Sequence, residues 1–477
     1  MDPVKDGFDP KAFRDLGHAA VDQLADYLET VSKGEGRVRP AQEPDKAATY
    51  WGDQLHEEAC QNPTALIAQV LERSFHSHHP RNLGHQVGPV LPLAAVFELV
   101  GSLLDTGNGV YEVGDPATPM ERAVLKDLNE RIGLPKESDG ILTSGGSLGN
   151  LTALLAMRQC QTGSWDEGTS HQQFAVLVSS EAHYCVERAV KIMGWGEQGI
   201  IRVPVDDEYR MRIDALEACL AEAQDDHIQV LGVVGSAGST ATGKIDPLAE
   251  IATFCQRHSL WFHVDAAHAG AFVFSEKARP LLRGWERADS IVIDFHKMLL
   301  SPSLLTAVLF RLGRDSYQSF AQKADYLWRA DQTQEWWDLA KRTVECTRPM
   351  LGLRAYALLK HGGERLFEAY IDQALAATET FASLIESSSD FELLTTPESN
   401  ILCYRHTPNG LDKHATDQLN QKIRAAITAD GKFYIVQVEK HGRTYLRSAV
   451  MNPFVTIAVF EELLDEIRRI SRKFQEL

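Results

Sequence analysis

Short apolar runs closed by polar or glycine-rich turns alternate with amphipathic stretches along most of this chain. Phe174–Ser180 (FAVLVSS), Val230–Val234, Leu260–Val264 and Ile291–Ile293 have the length and β-branched content of buried strands, and Leu304–Arg311 continues the pattern. Helical periodicity fills several of the gaps, as in the stretch through Met193 that follows His183-Tyr184 and in Pro247–His258. A recurring strand–helix–strand order predicts an α/β fold, with a mainly parallel sheet covered by helices on both faces. Upstream, Phe13, Leu16, Ala20, Leu24, Tyr27, Leu28 and Val31 mark an amphipathic helix over residues 9–33, opened by Asp9-Pro10 as cap and first turn. A connector rich in Gly, Pro and charge, residues 33–46, leaves that helix few local partners. Leu93–Leu104 and Met120–Arg131 read as further helices, and His361-Gly362-Gly363 stops another that begins at Met350. Beyond Glu364 the reading is helix, strands at 391–394 and 401–405, helix 411–428, strands at 433–438 and 443–450, and helix 456–473, a small α+β arrangement. The expected division is an N-terminal helical segment 1–80, a large domain 81–360 and a small C-terminal domain 361–477.

Polar groups collect where the strands end. Asp294, His296 and Lys297 follow Ile291–Ile293, Asp265 follows the strand in LWFHVDAAHAG, and His183 follows FAVLVSS. In a parallel sheet these ends share one edge, where ligands bind. A lysine there is costly unless solvated, paired or chemically used. Its neighbours point to an amine that forms a Schiff base with pyridoxal phosphate. Small Ala267 leaves room for a flat ring beyond Asp265. In Gly140–Arg158, GILTSGGSLGNLTALLAMR, a short apolar piece runs through Ser144-Gly145-Gly146-Ser147 into a helix, the outline of a phosphate cup. The same residues satisfy GxSxG, the nucleophile elbow of hydrolases, with Asp265 and His441 able to complete the order Ser…Asp…His; on this stretch alone both readings stand. His76, His78 and His79, or His263, Asp265 and His268, raise the question of metal. Adjacent His78 and His79 cannot face one ion, and His268 lies beyond the face shared by His263 and Asp265, so no metal is expected.

Composition narrows the partners. Hydrophobic content of 44% and charged content of 24% suit a globular protein, and a net charge of −18 argues against nucleic acid and anionic membrane. Seven cysteines without a CxxC pair fit reduced thiols, and the first residues, MDPVKDGFDPKAF, show no apolar signal core, so a cytoplasmic location is expected. No apolar run is long enough to span a bilayer.

Taken in order, HPRNLGH, LTSGGSLGNLTALLAMR, SSEAHYCVERAVKIMG, GSTATGKIDPLAEIA, LWFHVDAAHAG, RADSIVIDFHK and YLRSAVMNP resemble the group II pyridoxal-phosphate-dependent amino-acid decarboxylases, over about residues 79–453. The resemblance implies a fold type I enzyme with a seven-stranded sheet, forming a homodimer with active sites at the subunit interface. It implies that Lys297 holds the cofactor, Asp265 pairs with its pyridine nitrogen, His183 stacks on the ring and Ala267 lies against the other face. Ser147, Leu148 and Gly149 match the phosphate cup, with Thr240 and His296 nearby, which reassigns Ser147 from nucleophile to phosphate ligand. Several positions depart from the family pattern. Gly149 stands where Ser is frequent, Asp294 where Asn is, and Ser239-Thr240 replaces Thr-Thr. The loop after Tyr326-Leu327 is short, with no tyrosine that matches the residue protonating the product carbon. His85 and Gln86 resemble the substrate loop of the diaminobutyrate branch, and DPLAEIATFCQRHSLWFHVDAA resembles the cysteine-sulfinate branch. A small polar or charged substrate is therefore expected over an aromatic one. An aldehyde synthase or aminotransferase outcome is the alternative.

Overall fold

The computed structural model describes residues 3–40, 42–56, 62–168, 172–320 and 335–476. It separates into two compact units, one formed by residues 86–378 with 395–402 and the other by residues 1–85, 379–394 and 403–477.

The first unit is built on a seven-stranded sheet. Its strands are β1 (Asp139–Thr143), β2 (Gln173–Ser179), β3 (Ile200–Val203), β4 (Ile228–Ser236), β5 (Trp261–Asp265), β6 (Ser290–Asp294) and β7 (Thr306–Phe310), in the spatial order β1-β7-β6-β5-β4-β2-β3. Every pairing from β6 to β3 is parallel, and only β7, between β1 and β6, runs against its neighbours. The central strands β2, β4, β5, β6 and β7 are largely apolar and buried, as strands covered on both faces are. The helix Gly146–Thr162 contributes Ala153, Leu154, Ala156 and Met157 to a core shared with Val176, Val178, Leu231, Val234, Val292 and Val308. Because β1, β2, β4, β5 and β6 point the same way, their C-terminal ends open on one edge, and the loops leaving that edge carry the polar residues singled out above. Two details differ from the sequence pattern. The last strand begins at Thr306, since Leu304 is half exposed and outside the ladder. The helical run from Leu351 continues to Glu386, broken by the non-helical backbone of Gly363 at φ 65°, so the glycine pair kinks the segment without ending it.

The second unit contains the amphipathic helix Pro10–Ser32, whose cap Asp9 accepts the N–H groups of Lys11 and Ala12. The helices Pro44–His56 and Pro63–Arg73 follow. It also holds most of a four-stranded sheet of β8 (Phe391–Leu393), β9 (Ile401–His406), β10 (Val436–Lys440) and β11 (Arg443–Ala449), ordered β10-β11-β9-β8, with the helices Lys413–Asp430 and Ile457–Gln475. Phe381 and Phe460 stack at 4.3 Å in its core. Among the described residues no helix is long and apolar enough to cross a membrane.

Candidate active site

The edge of the large sheet carries residues from the C-terminal ends of β1, β2, β4, β5 and β6. After β1, Gly145 adopts φ 103°, a conformation glycine takes without a Cβ penalty, and the chain turns directly into the helix Gly146–Thr162. The amides of Gly146, Ser147 and Leu148 lie in the first turn and have no intrahelical acceptor, so they form an anion cradle with the positive end of the helix dipole behind it. Ser147 is exposed there and Leu148 half-buried. Gly149 sits differently from the cup position expected of it. Its N–H already binds Gly145 O at 3.0 Å, and a Cβ on it would meet Thr306 Cγ2 at 3.1 Å and Val308 Cγ2 at 3.2 Å. It is a close-packing residue against β7 and offers no donor to a ligand.

Lys297 lies three residues beyond β6 and points back to Asp294, its Nζ 3.0 Å from Oδ2. The carboxylate of Asp294 is buried, accepts Thr306 Oγ1 at 2.5 Å through its other oxygen, and has His296 Nε2 at 3.7 Å. It also faces the cradle, since a Cβ on Gly146 would meet its two oxygens at 2.9 and 3.0 Å. The feature read from sequence as a departure, a carboxylate next to a phosphate cup, is thus the counter-ion of Lys297. Burial acts most strongly on the lysine and pushes its pKa down. Asp294 and Asp265 together outweigh it, and the net value lies above the usual 10.5.

On the neighbouring strand, Asp265 accepts the N–H of buried Ala267 at 3.2 Å, and the buried Cys185 thiol stands 4.0 Å from its other oxygen. Burial pushes that thiol well above its usual range, with Asp265 adding to the effect. His183 caps the helix Tyr184–Ile192, its Nδ1 accepting the N–H of Cys185 at 3.3 Å, which leaves the proton on Nε2 when the ring is neutral. Burial holds its pKa below 6.5 against the opposing pull of Asp265. Thr240 stands half-buried in the turn after β4, where Ser239 Oγ and Thr242 Oγ1 bind each other at 2.8 Å.

The residues fit a phosphorylated pyridine aldehyde. An anion cradle, an amine, a carboxylate and a neutral imidazole ride on loops of one sheet edge. Tyr326 and the loop after it lie outside the described residues. The histidines considered for metal are engaged elsewhere. His263 binds Ser290 and Asn150, His268 Nε2 lies 2.7 Å from Asn400 Oδ1, His76 lies 3.2 Å from Tyr27 OH, and His79 Nδ1 accepts the N–H of Arg81. In the other unit His85 Nε2 is 2.8 Å from Tyr434 OH, a partner that sequence reasoning missed, although Gly84 signals it: a Cβ there would fall 2.3 Å from the tyrosine ring. Gln86, which opens the sheet unit, is buried.

Comparison with known proteins bears on these features. The sequence model of a family described as "Pyridoxal-dependent decarboxylase conserved domain" matches residues 93–407. The chain is 30% identical to aspartate 1-decarboxylase of Aliivibrio fischeri over 453 residues, covering 85% of this chain and 82% of that protein. It is 27% identical to L-2,4-diaminobutyrate decarboxylase of Acinetobacter baumannii over 418 residues, 84% and 82% of the two chains. The crystal structure of mouse CSAD superposes with a TM-score of 0.89 at 26% identity, covering 97% of this chain and 99% of that one.

Proposed function

The chain belongs to the pyridoxal-dependent decarboxylase family and is a pyridoxal-phosphate-dependent carboxy-lyase of amino acids, and from that premise we propose a substrate, a division of labour and an assembly. The substrate is an L-amino acid with a small polar or charged side chain, of the aspartate, 2,4-diaminobutyrate or cysteine-sulfinate kind. Relatives acting on aspartate and on diaminobutyrate support this reading, as does the likeness of His85-Gln86 to the diaminobutyrate branch. Those two residues are proposed to read the side chain.

The observation that carries the catalytic reading is Lys297 held beside Asp294, with Asp265 close enough to raise its pKa. Lys297 would supply the amine that holds the cofactor. The bound cofactor supplies an electron sink for the pair left when the Cα–carboxylate bond breaks. Asp265 presents a fixed acceptor that keeps a proton on the ring nitrogen, since a carboxylate in a low-dielectric site favours a cationic partner. His183, neutral and held by the Cys185 amide, would stack on the bound ring and limit its tilt, with Ala267 on the opposite side. The first-turn amides at Ser147 and Leu148, with Thr240 and His296, hold the phosphate. Ser147 acts there as an anion ligand, which replaces the nucleophile-elbow reading.

The active form is a homodimer in the cytoplasm. The exposed apolar residues of the helices Pro10–Ser32 and Pro92–Leu104 support the dimer.

The test is direct. Holoenzyme is given aspartate, diaminobutyrate, cysteine sulfinate, glutamate and aromatic amino acids, with carbon dioxide and ammonia both measured. Carbon dioxide without ammonia from one of the first three is expected; preference for an aromatic substrate, or ammonia release, overturns the substrate or the outcome respectively. Lys297→Ala should lose both the visible band of the bound cofactor and nearly all turnover.

A further inference from the structure

Four buried side chains below the cradle form a chain of hydrogen bonds for which the catalytic reading has no use. Trp261 Nε1 lies 2.9 Å from Ser290 Oγ, Ser290 Oγ 2.8 Å from His263 Nδ1, His263 Nε2 2.9 Å from Asn150 Oδ1, and Asn150 Nδ2 2.9 Å from the carbonyl oxygen of Gly146. All four side chains are at most 5% exposed. Their chemistry fixes the direction of every bond. An indole N–H only donates, so Ser290 accepts from Trp261. A carbonyl oxygen only accepts, so Asn150 turns its amide NH₂ to Gly146 and its oxygen to His263. His263 must then donate through Nε2. A neutral ring leaves Nδ1 as an acceptor for the Ser290 hydroxyl proton. Burial pushes the His263 pKa down to about 4, which keeps the ring neutral at physiological pH. Each of the four bonds therefore runs in one sense, from β5 toward the cradle.

The end of the chain matters because of the peptide it grips. In a trans peptide the C=O of Gly146 and the N–H of Ser147 point in opposite directions. Holding the carbonyl inward therefore holds the Ser147 amide outward, toward an anion in the cradle. The Gly146 carbonyl also accepts the first-turn helical bond from the Asn150 N–H, and with no Cβ on Gly145 or Gly146 the side-chain bond adds a second hold on this peptide. We propose that Asn150, oriented by His263, is a positioning residue that aims the Ser147 amide at the cofactor's phosphate. His263 lies two residues before Asp265 on the same strand, so the relay also ties the phosphate end of the site to the strand that carries the ring-nitrogen partner. The proposal rests on the reading of the cradle as the phosphate site.

The experiment separates the two. Full-length protein freed of cofactor is titrated by absorbance with pyridoxal phosphate and with pyridoxal, which lacks the phosphate. Asn150→Leu keeps the volume and removes both arms of the amide. Its dissociation constant for pyridoxal phosphate should rise roughly tenfold while that for pyridoxal stays within about twofold, the effect of one misaligned charge-assisted donor. Equal weakening toward both ligands, or none toward pyridoxal phosphate, overturns the relay. Wild-type protein that binds pyridoxal as tightly as pyridoxal phosphate overturns the reading of the cradle itself. An independent check needs no variant: ¹⁵N NMR of histidine-labelled wild type should show the Nε2–H form of His263, and a proton on Nδ1 overturns the proposal whether or not Asn150→Leu folds.

Discussion

At the scale of single residues the site turns on the charge state of Lys297. An amine raised above 10.5 is an ammonium at neutral pH and is not a nucleophile. Cofactor-free enzyme should therefore bind pyridoxal phosphate faster as pH rises, with the rate still climbing at pH 9. Burial alone would lower this pKa; Asp294 and Asp265 reverse the sign. Asp294→Asn removes the nearer of the two, lets burial win and frees the amine at lower pH. The variant should react faster than wild type between pH 7 and 8, by about tenfold for each unit the pKa falls. Stopped-flow growth of the visible band across a pH series measures this, and a slower variant throughout would mean that the carboxylate serves as a base. Lys297, Asp265 and His183 are legible in the sequence because each follows an apolar run whose end is the ligand edge. The pairing of Asp294 with Lys297 is not, because i,i+3 spacing after a strand says nothing of where either side chain turns. The Asn150–His263 bond, between residues 113 apart, is likewise visible only once the helix lies on the sheet.

At the scale of elements, the edge strand β1 shows what patterning leaves out. Among the described residues its open side pairs with no other strand. Leu142 donates its N–H to Glu121 at 2.8 Å, and its carbonyl accepts Arg348 at 2.6 Å. Arg348 and Glu121 pair at 3.1 Å, both buried. An ion pair thus takes the place of a strand and closes an edge that could recruit another chain. Arg348→Met leaves Glu121 buried without its partner and should destabilise the fold by about 3–5 kcal/mol. Glu121→Gln with Arg348→Met should recover much of that loss, measured by urea unfolding. If the single variant unfolds like wild type, the pair is ornamental. The sequence showed β2, β4, β5 and β6 because they are continuous apolar runs. It did not show β3, four residues with exposed Arg202 among them, nor the helix Ile213–Asp225, nor the helices Pro44–His56 and Pro63–Arg73 within and beyond the connector. Short edge elements depend on a neighbour for their pairing, and the neighbour is a property of the fold rather than of the stretch.

At the scale of the whole molecule, the helix Pro92–Leu104 carries the argument for a second copy. Thirteen residues, PLAAVFELVGSLL, include one charge, and only Ala94 is buried. Val96, Leu99, Val100, Leu103 and Leu104 are exposed, Leu103 to 65%. A helix apolar on most of its circumference is stable in water only when covered, and an exposed patch of this kind marks an interaction site. A net charge of −18 works against association by long-range repulsion, so the contact must be held by apolar area, and salt should strengthen rather than weaken it. In a two-fold assembly the same residue appears on both sides, so one substitution places two like charges in the contact. Leu103→Glu should shift the protein from twice the mass of one chain toward a single chain in sedimentation at micromolar concentration. The shift should reverse in part at high salt, which screens the added carboxylates. Each chain of the variant should keep its fold by circular dichroism, because Leu103 contributes little to its own core. Wild-type protein that sediments as one chain at every concentration would remove the dimer from the account while leaving Lys297 and its neighbours as described.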